Sequence, residues 1–229
     1  MIDVRRAGDR PTTPGDGTRT RHSFSFGRHY DPANVGFSVL VAHNDDLVEP
    51  GGGYDTHPHA DLEIVTWVLG GALRHTDSRG HAGELVPGVV QRLGAGSGVL
   101  HSEHAAGERT RFVQMWLRPD EPGVEPSFDR VPAPTGRGLA PLLSGVEGLD
   151  APAGIGVAGA ALHVARLSSG DVVELPDAAR LHVFVATGAA SLEGAGSLAE
   201  GDAARLSGEG GPRLSAHGTA AEVLVWQLP

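Results

Sequence analysis

The chain contains no cysteine, and this absence restricts the chemistry open to it. Without thiols there is no disulfide framework and no thiolate metal site, so any bound metal must be held by histidine and carboxylate side chains. No apolar run approaches the roughly 18 residues that a membrane-spanning helix needs. The first six residues also lack the apolar core of a secretory signal peptide. We therefore expect a cytoplasmic protein with no membrane partner.

Basic residues are also scarce, with 18 Lys and Arg against 28 Asp and Glu and a net charge of −10. This acidic balance disfavours direct contact with nucleic acid. Convincing helical periodicity is missing from the first half, whereas 34 glycines and 16 prolines are spread along the 229 residues. Such a composition indicates many short strands joined by tight turns, which predicts an all-β protein.

A weak internal repeat divides the chain. Residues 68–72 resemble 185–189, and residues 84–93 resemble 197–206 at an offset of 113 positions. The repeat predicts two similar β-barrels, over residues 1–120 and 146–229, joined by a proline-rich linker over residues 121–145 that contains a short helical turn at Leu139–Leu143. The same offset aligns His101 with Leu214 and Glu103 with Ala216, so the second barrel is predicted to lack metal ligands.

Two short segments carry most of the chemical information: Thr56-His57-Pro58-His59 and Leu100-His101-Ser102-Glu103. Each places two metal-binding side chains at positions i and i+2, which share one face of a β-strand. Two such strands turned toward each other inside a barrel would present three imidazoles and one carboxylate to a common point. The pattern predicts a first-row transition-metal site.

The residues around the first segment resemble the first signature of the cupin superfamily, G-x5-H-x-H-x3,4-E-x6-G, at Gly51, His57, His59, Glu63 and Gly70. The chain resembles one cupin family in particular, the pirins, which include bacterial quercetinases. That likeness runs through residues 21–27, 75–78 and 96–103. It implies a bicupin, built from two antiparallel double-stranded β-helix (jelly-roll) barrels, of which the C-terminal barrel is degenerate.

Pirins carry a glutamate two residues after the histidine of the second motif, and Glu103 holds that position here. The resemblance implies His57, His59, His101 and Glu103 as metal ligands, with Glu103 also the catalytic residue, a ligand that detaches to act as a base. Glu63 remains an alternative, because it lies four residues after His59 on a continuing strand. It would bind the metal, hold a metal ligand in position without touching the metal, or hydrogen-bond a ligand imidazole.

The resemblance also implies an activity: metal-dependent cleavage of a flavonol such as quercetin with dioxygen. The expected metal is Fe(II), with Ni, Co, Mn, Cu or Zn as substitutes, and the expected protein is a monomer that binds a small planar aromatic substrate. One alternative is a non-enzymatic, metal-binding regulatory protein of the pirin type that acts through a protein partner. Another is a zinc or manganese sugar isomerase, with Arg74 or Arg92 contacting phosphate.

Eight other histidines are predicted not to bind metal. His104 should point away from Glu103, and His75 should lie on an exposed strand after the Gly70-Gly71 turn. Three lack a partner at i±2 and are expected to be structural: His163, His182 and His217. Three more have no metal-like spacing and are expected to be packing or surface residues: His22, His29 and His43, with a place at the pocket mouth as the alternative for His43.

Overall fold

The computed structural model describes residues 1–216, 218 and 220–229, so His217 lies outside the described residues. Over this part of the chain the structure is almost wholly β, and its helical element is a single 3-10 turn at Ala7–Asp9. None of its described helices is long and apolar enough to cross a membrane. The predicted all-β class is confirmed.

The described residues form 22 strands: β1 (Ile2–Arg5), β2 (Thr12–Pro14), β3 (Thr18–His22), β4 (Leu40–Val48), β5 (Gly53–His59), β6 (Glu63–Gly70), β7 (Leu73–Asp77), β8 (Ala82–Leu85), β9 (Val89–Gly94), β10 (Val99–Ala105), β11 (Thr110–Leu117), β12 (Ser127–Pro132), β13 (Gly138–Ser144), β14 (Ala153–Gly154), β15 (Ala161–Leu167), β16 (Val172–Glu174), β17 (Arg180–Thr187), β18 (Ala189–Leu192), β19 (Gly196–Ala199), β20 (Ala203–Ser207), β21 (Arg213–Ala216) and β22 (Ala221–Leu228). They fall into two compact units. The N-terminal barrel is Pro11–Ala133, and the C-terminal barrel is Met1–Arg10 with Pro134–Pro229.

The N-terminal barrel has a seven-stranded sheet, ordered β12-β9-β6-β11-β4-β3-β2, and a four-stranded sheet, ordered β5-β10-β7-β8. Burial alternates along β7 and β10, as expected for strands with one face toward a core. The buried positions of β10 are Val99, His101, Glu103 and Ala105. Two ligand candidates therefore point into the barrel between apolar neighbours.

The C-terminal barrel repeats this plan, with sheets ordered β1-β20-β17-β22-β15-β13-β14 and β16-β21-β18-β19. By strand order, β21 holds the place that β10 holds in the N-terminal barrel. Leu214 and Ala216 lie on β21, and both are fully buried in an apolar cluster. The bicupin architecture is thus confirmed, and apolar side chains occupy the positions that the sequence repeat aligned with His101 and Glu103.

The predicted domain limits and linker differ from the structure. Within residues 121–145, β12 pairs with β9 of the N-terminal barrel and β13 pairs with β15 of the C-terminal barrel. The predicted helical turn at Leu139–Leu143 is wrong, because these residues belong to β13. Prolines fit these strands because β12 is an edge strand and the pairing of β13 shifts register just after Pro141. The first ten residues belong to the C-terminal barrel, where β1 pairs with β20.

Candidate metal centre

The two predicted ligand segments lie on neighbouring strands of one sheet, rather than on strands that face each other. His57 and His59 are on β5 and His101 and Glu103 on β10, with His101 opposite His57 in the ladder. The register shifts between His101 and Glu103, so Tyr54 stands opposite Glu103. Gly53 is required here because a Cβ atom on it would lie 2.3 Å from the carbonyl oxygen of Glu103.

Three imidazole rings converge at this position. The ring centroids of His57 and His101 are 4.5 Å apart, those of His57 and His59 4.8 Å, and those of His59 and His101 5.0 Å. One nitrogen from each ring lies within 4.8 Å of the others. The Nδ1 of His57 is 2.7 Å from the carbonyl oxygen of Asp55, which only accepts, so Nδ1 donates and Nε2 is the ring nitrogen left for a metal.

The Nε2 atoms of His59 and His101 are buried without a hydrogen-bond partner. Buried polar atoms are normally paired, so these two nitrogens, which lie together, are available to a bound group. A cation bound here would satisfy them together with Nε2 of His57, and imidazole is a common ligand of divalent transition metals. The residues present therefore fit a metal ion.

Glu103 adds a carboxylate beside His101. Its Oε2 accepts a hydrogen bond of 2.7 Å from Nε2 of Gln114, whereas its buried Oε1 has no partner. The indole N–H of Trp116 donates to Oε1 of Gln114 at 3.0 Å, which fixes the amide so that its nitrogen faces Glu103. Glu103 belongs to a second group of potential ligands, with His75 and His101, whose ligand atoms lie within 4.8 Å of one another.

Burial shapes the electrostatics of these groups. It lowers the pKa of His59 to about 4 and that of His101 to about 3, and the neighbouring His57 adds to both shifts. Both rings are therefore neutral at pH 7, which is the form that binds metal. Burial raises the pKa of Glu103 to about 7, although the hydrogen bond from Gln114 opposes the shift.

A cavity of about 410 Å³ opens onto the centre, within the size range of small-molecule sites. The rings of Phe26 and Trp116 form part of its wall. Thr20, Asp46 and Tyr54 form a polar part: the Tyr54 hydroxyl donates to Asp46 at 2.6 Å, and the Thr20 hydroxyl donates to the same carboxylate. Burial, followed by the charge of Asp46, raises the pKa of Tyr54, so its hydroxyl stays protonated.

Comparison with known proteins identifies the family. The family model "Pirin" matches residues 4–117. A protein of Mycobacterium tuberculosis strain H37Rv, named "Putative quercetin 2,3-dioxygenase", is 47% identical over 232 residues, covering 99% of this chain and 95% of that protein. The chain belongs to the pirin family.

Two further relatives extend the comparison. The quercetin 2,3-dioxygenase of Escherichia coli K12 is 40% identical over 132 residues, which cover 57% of each chain. The crystal structure of the bacterial pirin YhhW from Escherichia coli in complex with nickel(II) superposes with a TM-score of 0.93 at 31% identity, covering 100% of this chain and 99% of that one. The resemblance to pirins drawn from the sequence motifs is confirmed.

In this pirin the alternative carboxylate, Glu63, is bound to an arginine. Nη1 of Arg92 lies 3.0 Å from Oε2 of Glu63, and Nη2 of the same guanidinium lies 2.6 Å from Asp129. Neither group of potential metal ligands among the described residues includes Glu63. The structure therefore favours Glu103 over Glu63, and the choice between them as the ligand stays a prediction. The phosphate-binding role weighed for Arg92 is unsupported, because this buried guanidinium is held by two carboxylates.

His75 differs most from expectation. It is fully buried rather than exposed, because β7 is covered on its inner face and His75 alternates inward with Leu73 and Asp77. It lies next to His101, with 5.3 Å between the two ring centroids. His104 lies outside both groups and pairs with Asp55 at 3.2 Å.

Motif analysis also missed residues that shape the centre: Gln114, Trp116, Asp46 and Tyr54. Gln114, Trp116 and Asp46 come from the opposite sheet and stand in no fixed sequence spacing to the histidines. The signal available for Gln114 was a single amide within the otherwise apolar run Phe112–Leu117.

Proposed function

We propose that the N-terminal barrel is a metal-dependent dioxygenase site that cleaves a flavonol such as quercetin with dioxygen. One observation carries the proposal. Three imidazoles converge, and the buried carboxylate of Glu103 lies beside one of them, His101, at a cavity that is partly walled by aromatic rings. The names of the mycobacterial and Escherichia coli relatives support the same reaction.

His57, His59, His101 and Glu103 would hold the metal in this proposal. We propose iron(II) as the native ion, because neutral imidazoles with one carboxylate suit it, and Ni, Co, Mn, Cu or Zn use the same donors. When bound, the metal supplies open positions for dioxygen and for an oxygen atom of the substrate. Two of these donors, His59 and His101, are already neutral before a metal binds.

Glu103 would take the proton from the flavonol hydroxyl at its Oε1. A pKa of about 7 lets this carboxylate both accept and return a proton near neutral pH, which is the range that favours general acid–base catalysis. Gln114 keeps Oε2 in place by its 2.7 Å hydrogen bond, so the carboxylate holds its orientation as the proton moves.

The cavity would orient a flat substrate. Phe26 and Trp116, whose ring centroids are 5.2 Å apart at 61°, offer apolar surface to an aromatic ring and exclude water from the reacting atoms. The hydroxyl groups of Thr20 and Tyr54, with Asp46, offer hydrogen-bonding partners to phenolic hydroxyls. Holding the substrate in one position lowers the entropic part of the barrier.

The test is loss of flavonol absorbance under oxygen by protein loaded with iron(II). We expect turnover by the wild type and none by His57→Ala, which removes one imidazole of the centre. His104→Gln is the matched control, because His104 lies next to Glu103 in sequence but outside both ligand groups, and it should turn over like the wild type. If loaded wild type leaves quercetin unchanged, the enzyme proposal fails for this substrate, and the non-enzymatic regulatory function becomes the better account.

A further inference from the structure

Beside the metal centre, a buried pair of residues on β7 extends from the ligand candidate His101. His75 is fully buried, and its Nδ1 lies 3.5 Å from Nδ1 of His101. Its other ring nitrogen, Nε2, lies 3.1 Å from Oδ2 of Asp77, whose side chain is also fully buried. Asp77, His75 and His101 thus form a continuous chain of contacts on β7 and β10.

The hydrogen bonds around Asp77 determine which atom of His75 donates. Its carboxylate accepts from the backbone N–H of Arg79 at 2.9 Å, from that of His81 at 3.0 Å, and from Nδ1 of His81 at 3.0 Å. Burial alone raises the pKa of Asp77, but the hydrogen bonds from His75 and His81 outweigh it and hold the pKa below its usual range. An ionised carboxylate only accepts, so Nε2 of His75 carries the proton.

The position of the proton on His75 bears on the position of the proton on His101. With its proton on Nε2, the His75 ring has a lone pair on Nδ1. Two donors surround that lone pair, Nδ1 of His101 and Nε2 of Gln91, each at 3.5 Å. A proton on Nδ1 of His101 fits this contact and leaves a lone pair at Nε2, the buried atom that has no hydrogen-bond partner.

We propose that His75 and Asp77 are positioning residues that fix His101 in the tautomer whose Nε2 faces the metal. The inference rests on the metal site of the proposed function. Carboxylate or carbonyl partners behind ligand imidazoles set the tautomer and raise the basicity of the ligand, and here a second histidine relays the carboxylate's effect. A direct ligand role for His75 would use Nδ1, the atom already directed at His101 and Gln91.

The first test is the tautomer of His101 in the metal-free protein, measured by long-range ¹H–¹⁵N NMR of the imidazoles. The His101 signal is identified by its loss in His101→Gln. We expect the Nδ1–H form in the wild type and in His75→Asn, whose side-chain oxygen can replace Nδ1 as acceptor. We expect loss of that preference in His75→Leu. Thr76→Val, on the exposed face of β7, is the matched control and should resemble the wild type. An Nε2–H form in the wild type, or an unchanged tautomer in His75→Leu, overturns the proposal.

The second test is titration with cobalt(II), followed by its visible spectrum. We expect His75→Leu to bind cobalt(II) about 10- to 100-fold more weakly, and His75→Asn to recover most of the affinity. The absorption bands should keep their positions in all variants, because the ligand set is unchanged. Altered bands in both His75 variants would instead make His75 a ligand and refute the positioning role. Because the tautomer is measured without metal or substrate, failure of quercetin turnover leaves that result standing, so the two proposals fail separately.

Discussion

Glu63 lies in a buried ion pair that a substitution can break from either side. The cupin signature makes it a potential ligand, whereas the structure places its carboxylate against Arg92 at 3.0 Å, with Asp129 on the other side of the same guanidinium. We predict that Glu63→Gln and Arg92→Leu lower the stability of the N-terminal barrel and leave the number of bound metal ions unchanged.

The expected magnitudes follow from burial. Both side chains of the pair are buried, and removal of one partner from a buried ion pair costs about 3–5 kcal/mol, so Arg92→Leu should fall in that range. Glu63→Gln retains an oxygen that accepts from Arg92, and Asp129 still neutralises the guanidinium. Its cost should therefore be that of one charge-assisted hydrogen bond, about 1.5–3 kcal/mol.

Urea unfolding measures these costs, with the fluorescence of Trp67 and Trp116 as the signal from the N-terminal barrel. Arg74→Leu is the control, because it breaks the exposed Arg74–Glu84 pair and should cost no more than about 1 kcal/mol. Cobalt(II) stoichiometry is measured on the same samples. If Glu63→Gln abolishes cobalt binding while its unfolding curve matches the wild type, Glu63 is a ligand and the reasoning is refuted.

Three other predictions concern the carboxylate, the turn and the second barrel. Burial raises the pKa of Glu103 from 4.5 to about 7, so metal-free wild type should lose stability relative to Glu103→Gln as the pH rises through that interval. A constant difference between the urea midpoints of the two proteins from pH 4 to 8 would contradict this. Gly53→Ala should weaken cobalt binding and destabilise the barrel more than Gly51→Ala, since a Cβ atom meets the Glu103 carbonyl only at Gly53; equal unfolding midpoints would be inconsistent with that clash. Leu214 is fully buried, so Leu214→Ala should lower the free energy of unfolding by about 2–5 kcal/mol in urea. Metal stoichiometry should stay the same, because both ligand groups found among the described residues lie in the N-terminal barrel, and loss of metal would contradict this.

Local periodicity made much of the centre predictable. The i, i+2 spacing placed His57 with His59 and His101 with Glu103 on shared strand faces, as the structure shows. The offset of 113 residues likewise matched β10 with β21 before any strand order was known. Both inferences depend only on the two-residue period of a strand and on repeated turns, which are encoded locally.

Features that depend on long-range pairing were not predictable in this way. Glu63 meets Arg92 because β6 and β9 are neighbours, and His75 is buried because β7 pairs with β10. The residues next to Glu63 and His75 in the sequence do not indicate which strands pair. The proline-rich segment was misassigned for a related reason, since proline composition does not distinguish a linker from an edge strand such as β12.

The central claim is that His57, His59, His101 and Glu103 hold one metal ion. Elemental analysis tests it most directly, on wild type and His101→Gln that have been equilibrated with one equivalent of iron(II) without oxygen and then desalted. We predict about one iron per chain in the wild type and almost none in His101→Gln, as the removed ring lies between the other donors. Equal iron content in the two proteins, or none in the wild type, would contradict the account.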